Sequence, residues 1–266
     1  MILNKWLTIE YIEEQENTVA HEFHSFFGKG KGGFCDFALD GCELILQAIC
    51  HMTDGWKLNE KGDFKDFDNA FRCFAFYHYD RIFYTFKSCY NLLISGYYTD
   101  ASILLRSIVE TFVRLKFIEK EKTTDLIMKA LSGKERFPYS YKQQFDAISL
   151  GYYEFYRLLC NMAHGGMASH ILKVTPNSET KEMIPDNGII FKANQASFIT
   201  NQFVIYLLGH LNFLYYVFDE IPVKMPNEYK IKLAETIKWL NICIEEYGKN
   251  EKNKIWLDKA VGIIND

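Results

Sequence analysis

The segment Phe67-Asp-Asn-Ala-Phe71-Arg-Cys-Phe74-Ala-Phe-Tyr-His78-Tyr-Asp80-Arg81-Ile82-Phe-Tyr-Thr-Phe86-Lys-Ser-Cys89-Tyr-Asn-Leu-Leu93-Ile94 decides the fold. Phe67, Phe71, Phe74, Ile82, Phe86, Cys89 and Leu93 recur at helical spacing, the signature of a helix face turned to a core. Further aromatics occupy much of the remaining circumference, so this helix belongs in the middle of a bundle. His78, Asp80 and Arg81 interrupt the apolar pattern and are expected to satisfy one another, the usual fate of buried polar groups. Ser95-Gly96 ends the helix, because glycine takes the left-handed cap conformation without steric cost.

The same period continues on both sides. Downstream, Asp100 is expected to cap a helix from Ala101 to Lys120, in which Leu104, Leu105, Ile108, Val109, Phe112 and Val113 are apolar. Arg106 and Glu110 lie one turn apart in that apolar helix, a spacing at which they can pair. A short helix is expected at Thr123 to Ser132, a long one at Gln144 to Ala163, a core helix at Gln195 to Asp219 and another at Asn227 to Tyr247. Lys254 to Ile264 reads as a last short helix. Upstream, helices are expected at Trp6 to Phe27 and Asp36 to Met52. The Gly28-Lys-Gly-Lys-Gly-Gly33 run between them lacks the spacing and the preceding strand of a phosphate loop, and reads as a linker.

From Gly166 to Lys192 the pattern fails. Pro176, Asn177, Pro185, Asp186, Asn187 and Gly188 supply turn chemistry around two β-like runs, Ile171 to Val174 and Gly188 to Phe191. A small hairpin leaning over the His164 end of the preceding helix is the expected outcome. The fold class is therefore all-α, an up-and-down bundle with flanking helices and at most one hairpin, in the 166–193 connection. We expect one helical domain over 1–266, with a core bundle at 67–218, N-terminal helices in 1–66 and C-terminal helices in 219–266.

Composition bounds the function. Hydrophobic residues make up 48% and aromatics 16% of the 266 residues, enough for a large core of bulky packing. A formal net charge of -4 provides no general basic field for nucleic acid, so any such contact must be local. Seven cysteines, an odd number without a C-x-x-C pair, read as reduced thiols of a cytoplasmic protein. The apolar run Phe203 to Phe218 is shorter than the roughly 20 residues of a membrane span, and no membrane association is expected. His21 and His24 share one turn but lack further ligands, and read as solvated histidines. No cofactor and no metal are expected.

The candidate site lies on Gly151-Tyr-Tyr153-Glu-Phe-Tyr-Arg157-Leu-Leu-Cys-Asn161-Met-Ala-His164-Gly-Gly166. At about 100° per residue, positions seven apart nearly superimpose, so Arg157 and His164 share a face, with Asn161 between them and Tyr153 one turn before. An imidazole suits proton transfer near neutral pH, and a guanidinium fork suits a phosphate. Arg106 and Glu110 are the expected supporting pair.

Two stretches together, Gly96-x4-Ala101-x3-Leu105-Arg106-Ser107-x2-Glu110 and Tyr156-Arg157-Leu-Leu-Cys-Asn-Met-Ala-His164-Gly165, resemble bacterial helical proteins of uncharacterised function and, more distantly, the HEPN superfamily (higher eukaryotes and prokaryotes nucleotide-binding). The resemblance implies a helical bundle, commonly homodimeric, and a metal-independent ribonuclease built on an arginine, four to six residues and a histidine. Arg157 and His164 fit the long end of that spacing, although Leu158 stands where the family often has a polar residue. It further implies an RNA substrate, a toxin or phage-defence role, and an antitoxin or regulatory partner. The alternative is a binding or dimerisation module in which Arg106, Glu110, Arg157 and His164 form a structural polar network.

Overall fold

Helix α1 (Ile9–Phe27) starts where the Thr8 hydroxyl accepts the Tyr11 N–H, and it buries Val19 and Phe23. Helix α2 (Phe34–Met52) buries one face, from Phe34 to Met52, against α3 and the last two helices. Helix α3 (Phe67–Ile94) has the bounds its periodicity predicts, and Asp66 caps it by accepting the Asn69 N–H. Phe71, Phe74, Ile82, Phe86, Cys89 and Leu93 are all buried. His78, Asp80 and Arg81 do not form the expected cluster: Asp80 and Arg81 are exposed, and His78 packs edge-on against Phe74. This is a computed structural model, and it describes residues 8–28, 34–52, 57–60, 63–133, 136–150, 153–166, 173–176, 179–180, 182–185, 189–220 and 225–248. The Gly-Lys run at 29–33, the start of the expected Trp6 helix and the expected helix at 254–264 lie outside the described residues.

Helix α4 (Tyr98–Glu121) is the central element, packed against α3, α7 and the long helix after the hairpin. It begins three residues earlier than the sequence pattern suggests. Tyr97 N–H bonds Leu92 O at 2.9 Å and Ala101 N–H bonds Tyr97 O at 2.9 Å, so the tight turn at Gly96 (φ +83°) feeds directly into the new helix. Asp100 therefore sits in the first turn, not at the cap, where a carboxylate still favours the helix dipole. Helix α5 (Thr124–Ser132) follows, ended by Gly133 in the left-handed conformation.

One expected helix is two. Helix α6 (Tyr141–Ala147) is opened by a capping box between Ser140 and Gln143. It closes when Ser149 turns left-handed (φ 55°) and Leu150 N–H reaches back to Phe145 O at 3.2 Å. Helix α7 (Tyr153–Ala163) then starts afresh. Apolar spacing runs on across the break because Phe145, Phe155 and Tyr156 enter the same core.

The expected hairpin exists with one strand moved. Strand β1 (Val174–Pro176) pairs antiparallel with β2 (Met183–Pro185), Val174 opposite Pro185. Ile189 to Phe191 form no strand, because their backbone is engaged elsewhere: Ile189 N–H donates to the Gln15 side chain at 3.1 Å. Lys192 N–H donates to the Tyr98 hydroxyl at 3.3 Å, and its ammonium reaches Val174 O at 3.0 Å, tying β1 to the bundle. Helix α8 (Ala193–Glu220) and helix α9 (Asn227–Gly248) complete the described chain.

Among the described residues the architecture is all-α, with this small hairpin and an isolated antiparallel bridge between Leu58 and Phe64. One apolar cluster runs from Phe23 to Leu240. At its centre His210 is fully buried, with Nε2 3.3 Å from Ile108 O and Nδ1 3.5 Å from the Tyr79 hydroxyl. Its surroundings are apolar enough to push its pKa down to about 3, burial being the main cause. Among the described residues no helix is long and apolar enough to cross a membrane.

Candidate functional site

Arg106, on the outer side of α4, points along its own helix and across to α7. Its Nε donates to Glu110 Oε1 at 2.8 Å, one turn away, and its Nη1 lies 3.3 Å from His164 Nε2. The same Glu110 oxygen accepts the Tyr156 hydroxyl at 2.9 Å. One carboxylate thus holds a guanidinium from α4 and a phenol from α7. A guanidinium only donates, so the contact to His164 requires its Nε2 to be unprotonated, which selects the neutral Nδ1–H tautomer.

The electrostatics follow from partial burial. Burial pulls the Arg106 guanidinium down, but the Glu110 carboxylate more than offsets this and leaves it above its ordinary value. Tyr156 is pushed well up by burial, by its hydrogen bond with Cys160 and by the nearby Glu110 charge, so it stays a neutral donor. Arg106 and Glu110 keep 26% and 23% of their side-chain surface exposed and His164 is exposed, so a ligand can reach the arginine–histidine contact from solvent.

The helix end positions His164. His164 N–H bonds Cys160 O at 3.1 Å, Gly165 takes the left-handed conformation (φ +68°), and Gly166 N–H closes onto Asn161 O at 2.9 Å. The Asn161 side chain lies against Gly166, in the space that a Cβ there would fill. Asn161 thus belongs to the helix stop.

The remaining expected site residues fall elsewhere. Arg157 is exposed on α7 and pairs with Glu154 at 2.8 Å, and it makes no contact with His164 among the described residues. Tyr153 is half-buried and joins Phe145 and Tyr156 in an aromatic group, its ring centroid 5.5 Å and 6.0 Å from theirs. The structure brings together Arg106, Glu110 and His164, adds Tyr156, and leaves Arg157 on the rim. Sequence reading gave Tyr156 no role, although its place on the α7 turn before Cys160 was visible. The hairpin's relation to His164 lies outside the described residues, because 167–172 intervene.

Farther along α4, Arg114 continues the stripe begun by Arg106 and Glu110. Its Nε donates to Gln144 Oε1 at 2.8 Å and its guanidinium lies 3.6 Å over the Phe137 ring. Tyr141 stands between the two ends of the stripe. Burial raises its pKa, the Glu110 charge adds to this, and Arg114 opposes it. Among the described residues no group of three or more His, Cys, Asp or Glu side chains is placed to hold a metal ion. His24, half-buried, lies 3.3 Å from Cys35 Sγ, whereas His21 is exposed.

A family model described as a family of unknown function, DUF5677, matches residues 72–137. The match runs from α3 through α5 and includes Arg106, Glu110 and Arg114, but stops before Tyr156 and His164. No curated protein and no solved structure matches the chain.

Proposed function

We propose that the α4–α7 face carrying Arg106 and His164 cleaves RNA without a metal, as the HEPN resemblance implies, with His164 as acid and base. The observation that carries this reading is the Arg106–His164 contact of 3.3 Å at a solvent-exposed position. In this mechanism the Arg106 guanidinium turns from Nε2 to the phosphate, and His164 Nε2, its lone pair freed, takes the proton of a ribose 2′-hydroxyl, whose oxygen attacks the adjacent phosphorus. The bond to the 5′-oxygen breaks, the His164 imidazolium returns its proton to that oxygen through solvent, and a 2′,3′-cyclic phosphate remains. Arg106, already beside the imidazole, meets the charge developing on the phosphoryl oxygens. Arg157 takes over the role of a rim cation for a flanking phosphate. Its exposed pair with Glu154 contributes at most about 1 kcal/mol, so it yields readily to a ligand.

The same reading extends to a homodimer that sets two such faces around one strand, and to a toxin or defence role held in check by a partner. Asn161 acts by fixing the helix stop behind His164, and Tyr153 by supporting Tyr156. Induction of the wild-type protein in a bacterial host is expected to fragment cellular RNA and slow growth, and His164→Ala is expected to relieve both. Intact RNA during wild-type induction would count against the reading.

A second reading has its own support. Glu110 accepts from both Arg106 and Tyr156, which ties α4 to α7, as a register-fixing network in a binding module would. That module predicts that His164→Ala changes stability and partner binding but no RNA end.

A further inference from the structure

Farther along α4 from the Arg106–His164 contact lies a concavity of about 570 Å³, lined chiefly by Arg114, Arg136, Phe137, Tyr139 and Tyr141. Its chemistry is unusual for a chain of net charge -4: two guanidinium groups and three aromatic rings, with no carboxylate among the described lining residues. Arg114 is fixed by its bond to Gln144 and by its stack on Phe137. Tyr139 leans on Phe117, ring centroids 4.9 Å apart, and is 37% exposed. Arg136 is exposed and has no ion-pair or hydrogen-bond partner among the described residues.

We propose that this pocket binds a nucleotide unit, its planar base against the Tyr139 and Tyr141 rings and its phosphate between Arg114 and Arg136. Rings with a π-face exposed to solvent stack bases of any identity, and a guanidinium fork matches a phosphate. Partial burial makes Arg114 the harder cation to leave without an anion: desolvation lowers its pKa, and Tyr141 and Glu110 oppose that. The pocket and the Arg106–His164 contact share helix α4. Arg106, Glu110 and Arg114 follow at four-residue steps, so the two guanidinium groups stand on one helix face about 12 Å apart along the axis. The nucleotide therefore comes either from an RNA strand that also reaches the Arg106–His164 contact or from a free mononucleotide. The strand source rests on the proposed RNA reading, and the pocket's chemistry does not.

The test uses the full-length protein and two probes that the protein cannot cleave. One is a fluorescein-labelled 2′-O-methyl oligoribonucleotide, read by anisotropy, and the other is adenosine 5′-monophosphate, read by calorimetry. Wild type is expected to bind at least one of them, Arg136→Glu and Tyr139→Ala are each expected to weaken that binding tenfold or more, and His164→Ala is expected to weaken binding of the mononucleotide less than twofold. Both pocket substitutions are at exposed positions, and circular dichroism checks that they fold. Oligonucleotide binding alone assigns the pocket to a strand, and equal binding of the mononucleotide assigns it to a free nucleotide. Pocket-dependent binding without any RNA cleavage upholds the pocket and sinks the ribonuclease reading. Binding of neither probe by wild type, or binding unchanged in both pocket variants, overturns the proposal.

Discussion

Arg106 on α4 and His164 after α7 are 58 residues apart in sequence and meet at 3.3 Å, guanidinium to ring nitrogen. Glu110 holds Arg106 and takes the Tyr156 hydroxyl with the same oxygen, so removing the carboxylate takes from Arg106 Nε its acceptor and leaves the Tyr156 hydroxyl with only Cys160. Glu110→Ala is expected to cost about 1–3 kcal/mol in chemical denaturation. Glu110→Gln, which can still accept from Tyr156, should cost less. Arg157→Ala, which breaks only a half-exposed pair, should stay within about 1 kcal/mol of wild type. Equal losses for Glu110→Ala and Arg157→Ala would show that the network does not join the helices.

Acid should destabilise the bundle through His210. Its folded pKa is pushed down to about 3 from the ordinary 6.5. Between those values the unfolded chain holds a proton that the folded chain does not, so stability is complete above pH 6.5 and falls as pH drops. The expected loss is about 2 kcal/mol between pH 6.5 and 5. His210→Gln, which does not titrate, should remove that part of the slope, measured as denaturation midpoints across the range. An unchanged slope would mean that His210 is protonated in the folded state.

The helix stop at Gly165 and Gly166 separates backbone from steric effects. At Gly165 the left-handed φ is the constraint and a Cβ would meet nothing within 4 Å. Gly165→Ala should therefore cost about 1 kcal/mol, and Gly165→Asn less. At Gly166 an added Cβ would overlap the Asn161 side chain. Gly166→Ala should cost about 1–3 kcal/mol, and Asn161→Gly should relieve it. A double variant no better than Gly166→Ala would refute the packing of Asn161 on Gly166.

The helices were legible because burial imposes a period on the sequence, and in α3 that period gave both ends. It failed where structure came from local hydrogen bonds. Ser149 breaks α6 from α7 in a left-handed turn that no apolar spacing records, and Ile189 N–H binds Gln15, 174 residues away, in place of a strand partner. The site was half legible for the same reason. Helical spacing shows that Arg157 and His164 share a face, but not that Glu154 holds Arg157. That Arg106 crosses from another helix to reach His164 is a tertiary fact without a local signature. Tyr156 escaped notice because, as an aromatic on an apolar face, its ring reads as core while its hydroxyl reaches Glu110.

The most direct measurement is the cleavage of total cellular RNA by purified protein with a chelator present, with the product ends identified. The account predicts that wild type cleaves and leaves 2′,3′-cyclic phosphate ends. His164→Ala should lose at least a hundredfold in rate, in keeping with the usual size of acid–base catalysis, and Arg106→Ala should lose a comparable amount. Cleavage by His164→Ala at the wild-type rate, or no cleavage by wild type, would contradict it.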